Sequence, residues 1–321
     1  MDSKLVLVVV LALLVANAST KYVRPPPRKT LHFPWDPKPP SYPQQLVCCV
    51  YYGVCGAGFA RVIECKYDIH LLPGDLSYAD YIQRRWDTFG ELLQPLASRR
   101  PWMVTQGNHE MENIPFLKDG FLPYNSRWKM PYAESNSNSN LYYSFDVAGV
   151  HAVMLGSYTD YDKYSDQFRW LKADLSKVNR RRTPWLLVLF HMPWYNSNEA
   201  HQGEGDEMME TMEPLLQLLN RVFNGRSNRC GAVHITIGDG GNKEGLAHEY
   251  KEPQPKWSVF REASFGHGEF KIMNSTHALW RWHRNDDDQR VTSDQVWIIS
   301  LFGSGCLLKK NGEPGKTLME P

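Results

Sequence analysis

Short apolar runs that each stop at a polar or metal-capable residue recur through the middle of the chain. Ile69-His70-Leu71-Leu72 leads into Pro73-Gly74-Asp75, and Trp102-Met103-Val104-Thr105 into Gly107-Asn108-His109-Glu110. Trp185-Leu186-Leu187-Val188-Leu189-Phe190 runs straight into His191. Gly149 to Leu155 and Ala232 to Ile237 are further runs of this kind, the second ahead of Gly238-Asp239-Gly240-Gly241. Near-continuous apolar strands predict a sheet covered on both faces. Tyr81 to Leu93, Ser165 to Lys177 and Gly205 to Val222 carry helical spacing between them. The alternation predicts an α/β layered domain. Leu46 to Ile63, rich in Cys, Gly, Val and Tyr, has no period, and no element is assigned to it.

The first residues follow a different logic. Lys4 precedes an unbroken apolar run, Leu5 to Val15, and Ala16-Asn17-Ala18 supplies small residues beyond it. A basic start, a short apolar stretch and an A-x-A site predict a secretory signal peptide over residues 1–18. The run is too short to cross a bilayer as a helix. The expected location is therefore secreted, extracellular or cell wall, with no membrane span after signal removal. Val23 to Gln45 is dominated by proline and predicts an extended leader. The expected division is 1–18 signal peptide, 19–64 leader and truncated N-terminal region, and 65–321 catalytic domain.

Composition narrows the picture further. The chain of 321 residues has 36 basic and 35 acidic side chains, so it lacks the basic excess of a nucleic-acid binder. Its six cysteines, Cys48, Cys49, Cys55, Cys65, Cys230 and Cys306, can form disulfides in an oxidising compartment, with the pairing left open. Asn274-Ser275-Thr276 is a glycosylation sequon consistent with that compartment.

Asp75, Asn108-His109 and His191 carry the candidate chemistry. Polar groups at the carboxyl ends of buried strands are the usual way an α/β sheet builds a site. Carboxylate, amide oxygen and imidazole together suit iron, zinc or manganese. Taken singly, each has a structural reading: an aspartate capping a turn, or a histidine held by hydrogen bonds. Gly238-Asp239-Gly240-Gly241-Asn242 lacks the Lys and Ser or Thr of a P-loop and reads as a tight turn. Asp286-Asp287-Asp288 lacks EF-hand spacing and reads as a solvated loop.

Gly74-Asp75-Leu76-Ser77-Tyr78-Ala79-Asp80, Gly107-Asn108-His109-Glu110 and His191-Met192-Pro193-Trp194-Tyr195 resemble successive metal-binding blocks of the plant-type purple acid phosphatases. The resemblance covers most of Cys65 to Ser304, including Leu141 to Tyr161, His201-Gln202-Gly203-Glu204-Gly205 and Ser258 to Trp282, and it returns in the Pro-rich Val23 to Gln45. It implies a metallophosphoesterase-like β-sandwich of mixed sheets flanked by helices. It also implies hydrolysis of small phosphate monoesters at Fe(III) plus a divalent Zn, Mn or Fe. By resemblance Asp75 bridges the two ions, Tyr78 ligates the ferric ion, and Asn108 and His191 hold the divalent one. His109 then stabilises charge on the phosphate, and His201 protonates the leaving alcohol. Without the resemblance, Tyr78 reads as core packing and His201 as an exposed loop residue.

Three family features have no counterpart. The Gly-Asp-x-Gly block that supplies an iron ligand is absent, since no Asp occurs between Leu46 and Lys66. The Gly-His-x-His block is absent too, because Leu218-Leu219-Asn220 passes directly into Arg221-Val222-Phe223-Asn224-Gly225. Its nearest imitation, Gly266-His267-Gly268, lies in another segment. The fibronectin-like N-terminal domain of plant members needs about a hundred residues, and Gln45 to Cys65 leaves no room for it. The losses are expected to remove metal ligands from both ions and a core strand. The expectation is an acid phosphatase of weak or no activity, the alternative being a catalytically silent secreted remnant that binds phosphate or metal.

Overall fold

A computed structural model describes residues 8–13, 46–50, 67–113, 115–116, 120–216, 232–237, 244–285 and 291–300. Its strands are β1 (Val8–Leu13), β2 (Leu46–Val50), β3 (Ile69–Pro73), β4 (Trp102–Thr105), β5 (Tyr143–Val147), β6 (Val150–Met154), β7 (Trp185–Leu189), β8 (Val233–Ile237), β9 (Gly266–Ile272), β10 (His277–Arg284) and β11 (Val291–Ile299). Its helices are α1 (Gln83–Ala97), α2 (Leu122–Arg127), α3 (Asp166–Lys177) and α4 (Asp206–Leu216).

The strands form two sheets, a five-stranded one ordered β5-β6-β7-β1-β8 and a six-stranded one ordered β11-β10-β9-β2-β3-β4. In the first sheet β6, β7, β1 and β8 run parallel, and β5 pairs antiparallel with β6. In the second, β2, β3 and β4 run parallel, while β9, β10 and β11 form an antiparallel meander.

Alternation along β7 shows how the layers close. Leu187 and Leu189 enter the cluster shared with Leu71, Phe270, Trp280 and Ile298 of the other sheet. Leu186 and Val188 point the opposite way, into Trp170, Leu171 and Leu175 of α3 and Met208 and Met212 of α4. On the far side, Leu72, Trp102 and Val104 meet Trp86, Phe89, Leu93 and Leu96 of α1 and Tyr124 of α2. The result is a sandwich of two mixed sheets with helices on both outer faces, as expected. Both sheets are covered, which explains why the strand signals were near-continuous.

Several boundaries differ from the sequence reading. Helix α1 begins after Tyr81 because Asp80 and Tyr81 have φ of 47° and 72°, which no right-handed helix accommodates. It runs on to Ala97, with Leu93 and Leu96 packed in one cluster. Helix α3 starts as predicted, with the Ser165 hydroxyl accepting the Phe168 N–H at 3.1 Å. Strand β2 falls in the stretch left unassigned and lies between β3 and β9. The apolar run expected to belong to a leader supplies β1, so both β1 and β2 come from residues ahead of the boundary expected at Cys65. Six apolar residues meet the composition of a leader core and of a covered strand equally well. The sequon sits at the β9–β10 turn, where Asn274 Oδ1 accepts N–H bonds from Thr276 and His277. Among the described residues no helix is long and apolar enough to cross a membrane. The proline-rich stretch, Cys55, Cys65, Cys230, Cys306, the Gly238 turn and Asp286 to Asp288 lie outside the described residues.

Candidate metal centre

Strands β3 and β4 end side by side in one sheet, β7 ends in the facing sheet, and the residues that follow the three converge. Asp75, wholly buried, follows β3 in a left-handed conformation with φ of 50°. Asn108 and His109 begin a short 3-10 turn after β4, and His191 follows β7. The three segments touch backbone to side chain. A Cβ on Gly74 would lie 2.5 Å from His191 Nδ1, and one on Gly107 would lie 2.7 Å from both Asp75 N and His191 Cε1. Only glycine allows that approach.

Glu110 holds the turn in place. Its wholly buried carboxylate accepts N–H bonds from Asp75 at 2.7 Å, Leu76 at 2.7 Å and Gly107 at 2.8 Å. One side chain thereby fixes the β3 loop against the β4 loop. Burial pushes the Glu110 carboxyl up to about 7, and the three N–H groups oppose a further rise.

The ligand-type atoms face one another. His191 is 3% exposed, and burial lowers its pKa to about 3, so the ring is a neutral imidazole. Its Nδ1 lies 3.1 Å from the Pro73 carbonyl oxygen and donates to it. Nε2 then turns its lone pair toward Asn108 Oδ1 at 3.1 Å and Asp75 Oδ1 at 3.6 Å. Neighbouring ligands around an ion with bonds of 2.0–2.1 Å stand about 3.0–3.4 Å apart. A carbonyl-anchored histidine with its other nitrogen among oxygen donors has the form of a metal ligand. Asp75 supports this: burial first, and the Glu110 charge second, raise its pKa, so its ionised form calls for a cation. Its Oδ2 takes no hydrogen bond.

The remaining predicted residues surround this triad. The ring of Tyr78 lies 4.3 Å from that of His109, tilted by 44°, and its hydroxyl favours the ionised form of Asp75. Tyr78 is thus at the site as well as in the core, where it packs with Leu71 and Tyr143. His109 Nδ1 is held at 2.5 Å by Asp80 Oδ1, which leaves Nε2 facing Asp75 and Glu244 at 3.8 and 3.5 Å. His201, at φ of 56°, places Nδ1 2.6 Å from Glu204 Oε2. The Tyr158 hydroxyl donates to Glu204 Oε1 at 2.8 Å, and its ring sits 5.7 Å from that of His191. The bond to His201 keeps the Glu204 carboxyl below its usual range.

Glu110, Asp80, Glu204, Tyr158 and Glu244 were not singled out from the sequence. The first three lie inside or beside motifs that were, at spacings that let them hold a neighbour. Glu244 comes from a distant segment and carries no local signal.

The calcineurin-like phosphoesterase family profile matches residues 57–223, more than half of the chain, and that of the iron/zinc purple acid phosphatase-like protein C matches 231–293. The chain belongs to the purple acid phosphatase family. It is 69% identical over 277 residues to purple acid phosphatase 18 of Arabidopsis thaliana, covering 81% of this chain and 63% of the relative. It is 57% identical over 265 residues to purple acid phosphatase 22 of the same plant, covering 77% and 61%. A solved purple acid phosphatase from yellow lupin seeds shares the fold with a TM-score of 0.70 at 18% identity, over 86% of this chain and 57% of that one. The chain therefore spans a little over 60% of the length of these two Arabidopsis relatives.

Measured against a two-ion purple acid phosphatase centre, the described residues fit one ion and not two. Asp75, Asn108 and His191 form one donor set. For a second ion they offer Asp75 Oδ2 and Tyr78, and at neither place do three or more His, Cys, Asp or Glu among the described residues come together to hold a metal. Strand β2 runs parallel to β3 with Val50 opposite Leu71, and no Asp occurs in the sequence between Leu46 and Lys66.

Proposed function

We propose that this chain is an acid phosphatase by descent that holds one divalent cation on Asp75, Asn108 and His191 and hydrolyses small phosphate monoesters weakly. The convergence of His191 Nε2 with Asn108 Oδ1 and Asp75 Oδ1 at three adjoining strand ends carries the reading. A bound cation supplies positive charge against the phosphoryl oxygens and acidifies a water. The chain's own residues do the rest. Asp80 fixes His109 so that Nε2 faces the site, ready to steady charge on the phosphate. Glu204 fixes His201 in the same manner, leaving Nε2 to protonate the departing alcohol. Near-neutral net charge supports small esters rather than nucleic acid as substrates. The leader-like Leu5 to Ala18 supports secretion.

A second reading, a silent remnant that binds phosphate or one metal, is favoured by the reduced donor set for the second ion. Metal content, visible absorption and p-nitrophenyl phosphate turnover of the purified chain separate the two. The proposal expects one divalent ion, no purple band, and turnover at least ~100-fold below that of a complete family member. One ion with no turnover selects the remnant. Two ions, a purple tyrosinate band and full turnover overturn both readings.

A further inference from the structure

The first sheet has a position that the strands around it do not fill. β7 and β8 follow one another in that sheet along the chain, with α4 between them, yet they do not pair. β1 lies between them and runs parallel to both. Val8 to Leu11 pair with Leu186 to Leu189, and Val9 to Leu13 with Val233 to Ile237. Take β1 away, and β7 and β8 stand two strand spacings apart, about 10 Å. Every residue of β7 is buried, so its backbone groups have no water to turn to and need a paired strand. A position of that kind calls for an apolar, β-branched segment without charge, which Val8-Val9-Val10-Leu11-Ala12-Leu13 is.

We propose that the gap between β7 and β8 is a strand-accepting slot whose occupant is the chain's own Val8–Leu13, and that the use of this segment as β1 and its removal as a secretory leader exclude each other. A chain cut after Ala18 keeps the slot and loses its occupant. Two strand edges then open in the middle of a buried sheet, a template for pairing with other apolar strands. The slot also bears on the site, because β7 carries His191 two residues past its end.

Two experiments test the proposal. In the intact chain, Val10→Cys with Val188→Cys, which are register partners, is expected to cross-link under mild oxidation, with the bond mapped by peptide mass spectrometry. Val10→Cys with Leu186→Cys, two residues out of register, is expected not to. No bond in the first pair, or equal bonding in both, overturns the proposal. In a chain beginning at Ser19, amide exchange across Leu186–Leu189 and Val233–Ile237 is expected to accelerate at least ~100-fold, these strands having become openable edges. A synthetic peptide of residues 6–15 restores protection, and the same peptide with proline at position 10 does not. Should the Ser19 chain fold only when the peptide is present, the proposal stands. Unchanged exchange of both strands without residues 1–18 overturns it.

Discussion

Glu110 offers the sharpest test of how the site is held. Its carboxylate joins two loops through three N–H bonds of 2.7–2.8 Å, two on Oε2 and one on Oε1. In Glu110→Gln the amide oxygen can keep the pair from Asp75 and Gly107, while the amide nitrogen is left facing the Leu76 N–H. The loss is one charge-assisted bond, worth about 1.5–3 kcal/mol, with a buried unpaired donor beside it, so about 2–4 kcal/mol in all. For a chain of this size, that lowers the melting temperature by about 3–6 °C. Losing the Leu76 bond loosens the segment that follows Asp75, and zinc affinity is expected to fall about 10- to 100-fold, as when a ligand loses its support. Differential scanning calorimetry and zinc titration at pH 8, where the carboxyl is ionised, measure both effects. Glu112 is the control. Its carboxylate is equally buried but accepts from Gln83 and Trp86 side chains, away from the triad. Glu112→Gln is expected to lower the melting temperature and leave zinc affinity within ~2-fold, since no ligand loop depends on it. If Glu110→Gln keeps both stability and affinity, or if Glu112→Gln weakens zinc as much, Glu110 does not set the ligand spacing.

Gly107→Ala forces a Cβ onto Asp75 Oδ1 and the Asp75 backbone nitrogen; it is expected to cost about 1–3 kcal/mol in thermal unfolding and to abolish zinc binding. Leu187→Ala, at the centre of β7 and 1% exposed, is expected to cost about 2–5 kcal/mol in denaturant unfolding, and a cost below about 1 kcal/mol would place it outside the shared core. His151 lies between Asp146 at 2.6 Å and Asp174 at 2.8 Å; burial alone would lower its pKa, but the two carboxylates raise it above 6.5. A raised folded pKa gives stability that is complete below the unfolded value and fades as pH rises through the folded one, so melting temperature is expected to fall from pH 6 to pH 8, with that slope reduced in His151→Gln.

The triad was readable because each of its members ends an apolar run, and the change from apolar to polar marks where a buried strand reaches the rim. Glu110 stood inside a quoted motif yet gave no sign of its three N–H partners, since Asp75 and Leu76 are more than thirty residues away in the chain. The β9–β11 meander was missed for another reason. Its strands carry His, Glu, Arg and Lys among their apolar residues, and the sequence offered Gly266-His267-Gly268 only as an imitation of a ligand block. Those glycines serve packing instead: a Cβ on Gly266 would collide with the Trp282 ring, and one on Gly268 with that of Trp280.

Which expected ligand residues the sequence contains, and which it does not, follows the strands. Asp75 and Asn108 stand beyond β3 and β4, which pair with each other and are tied by Glu110; His191 stands beyond β7, whose side chains fix it to both outer and inner clusters. Each of these strands is an apolar run buried along all or nearly all of its length. The aspartate expected for the iron has no counterpart between Leu46 and Lys66, the stretch that supplies β2, and the histidine pair expected beyond α4 has none before β8, whose sheet neighbour is β1. At both places an apolar segment satisfies the sheet's demand for a paired, covered strand, and neither demands a ligand at its end. A sheet position is therefore filled by apolarity and pairing alone, and a match of fold does not by itself specify the ligands at its strand ends.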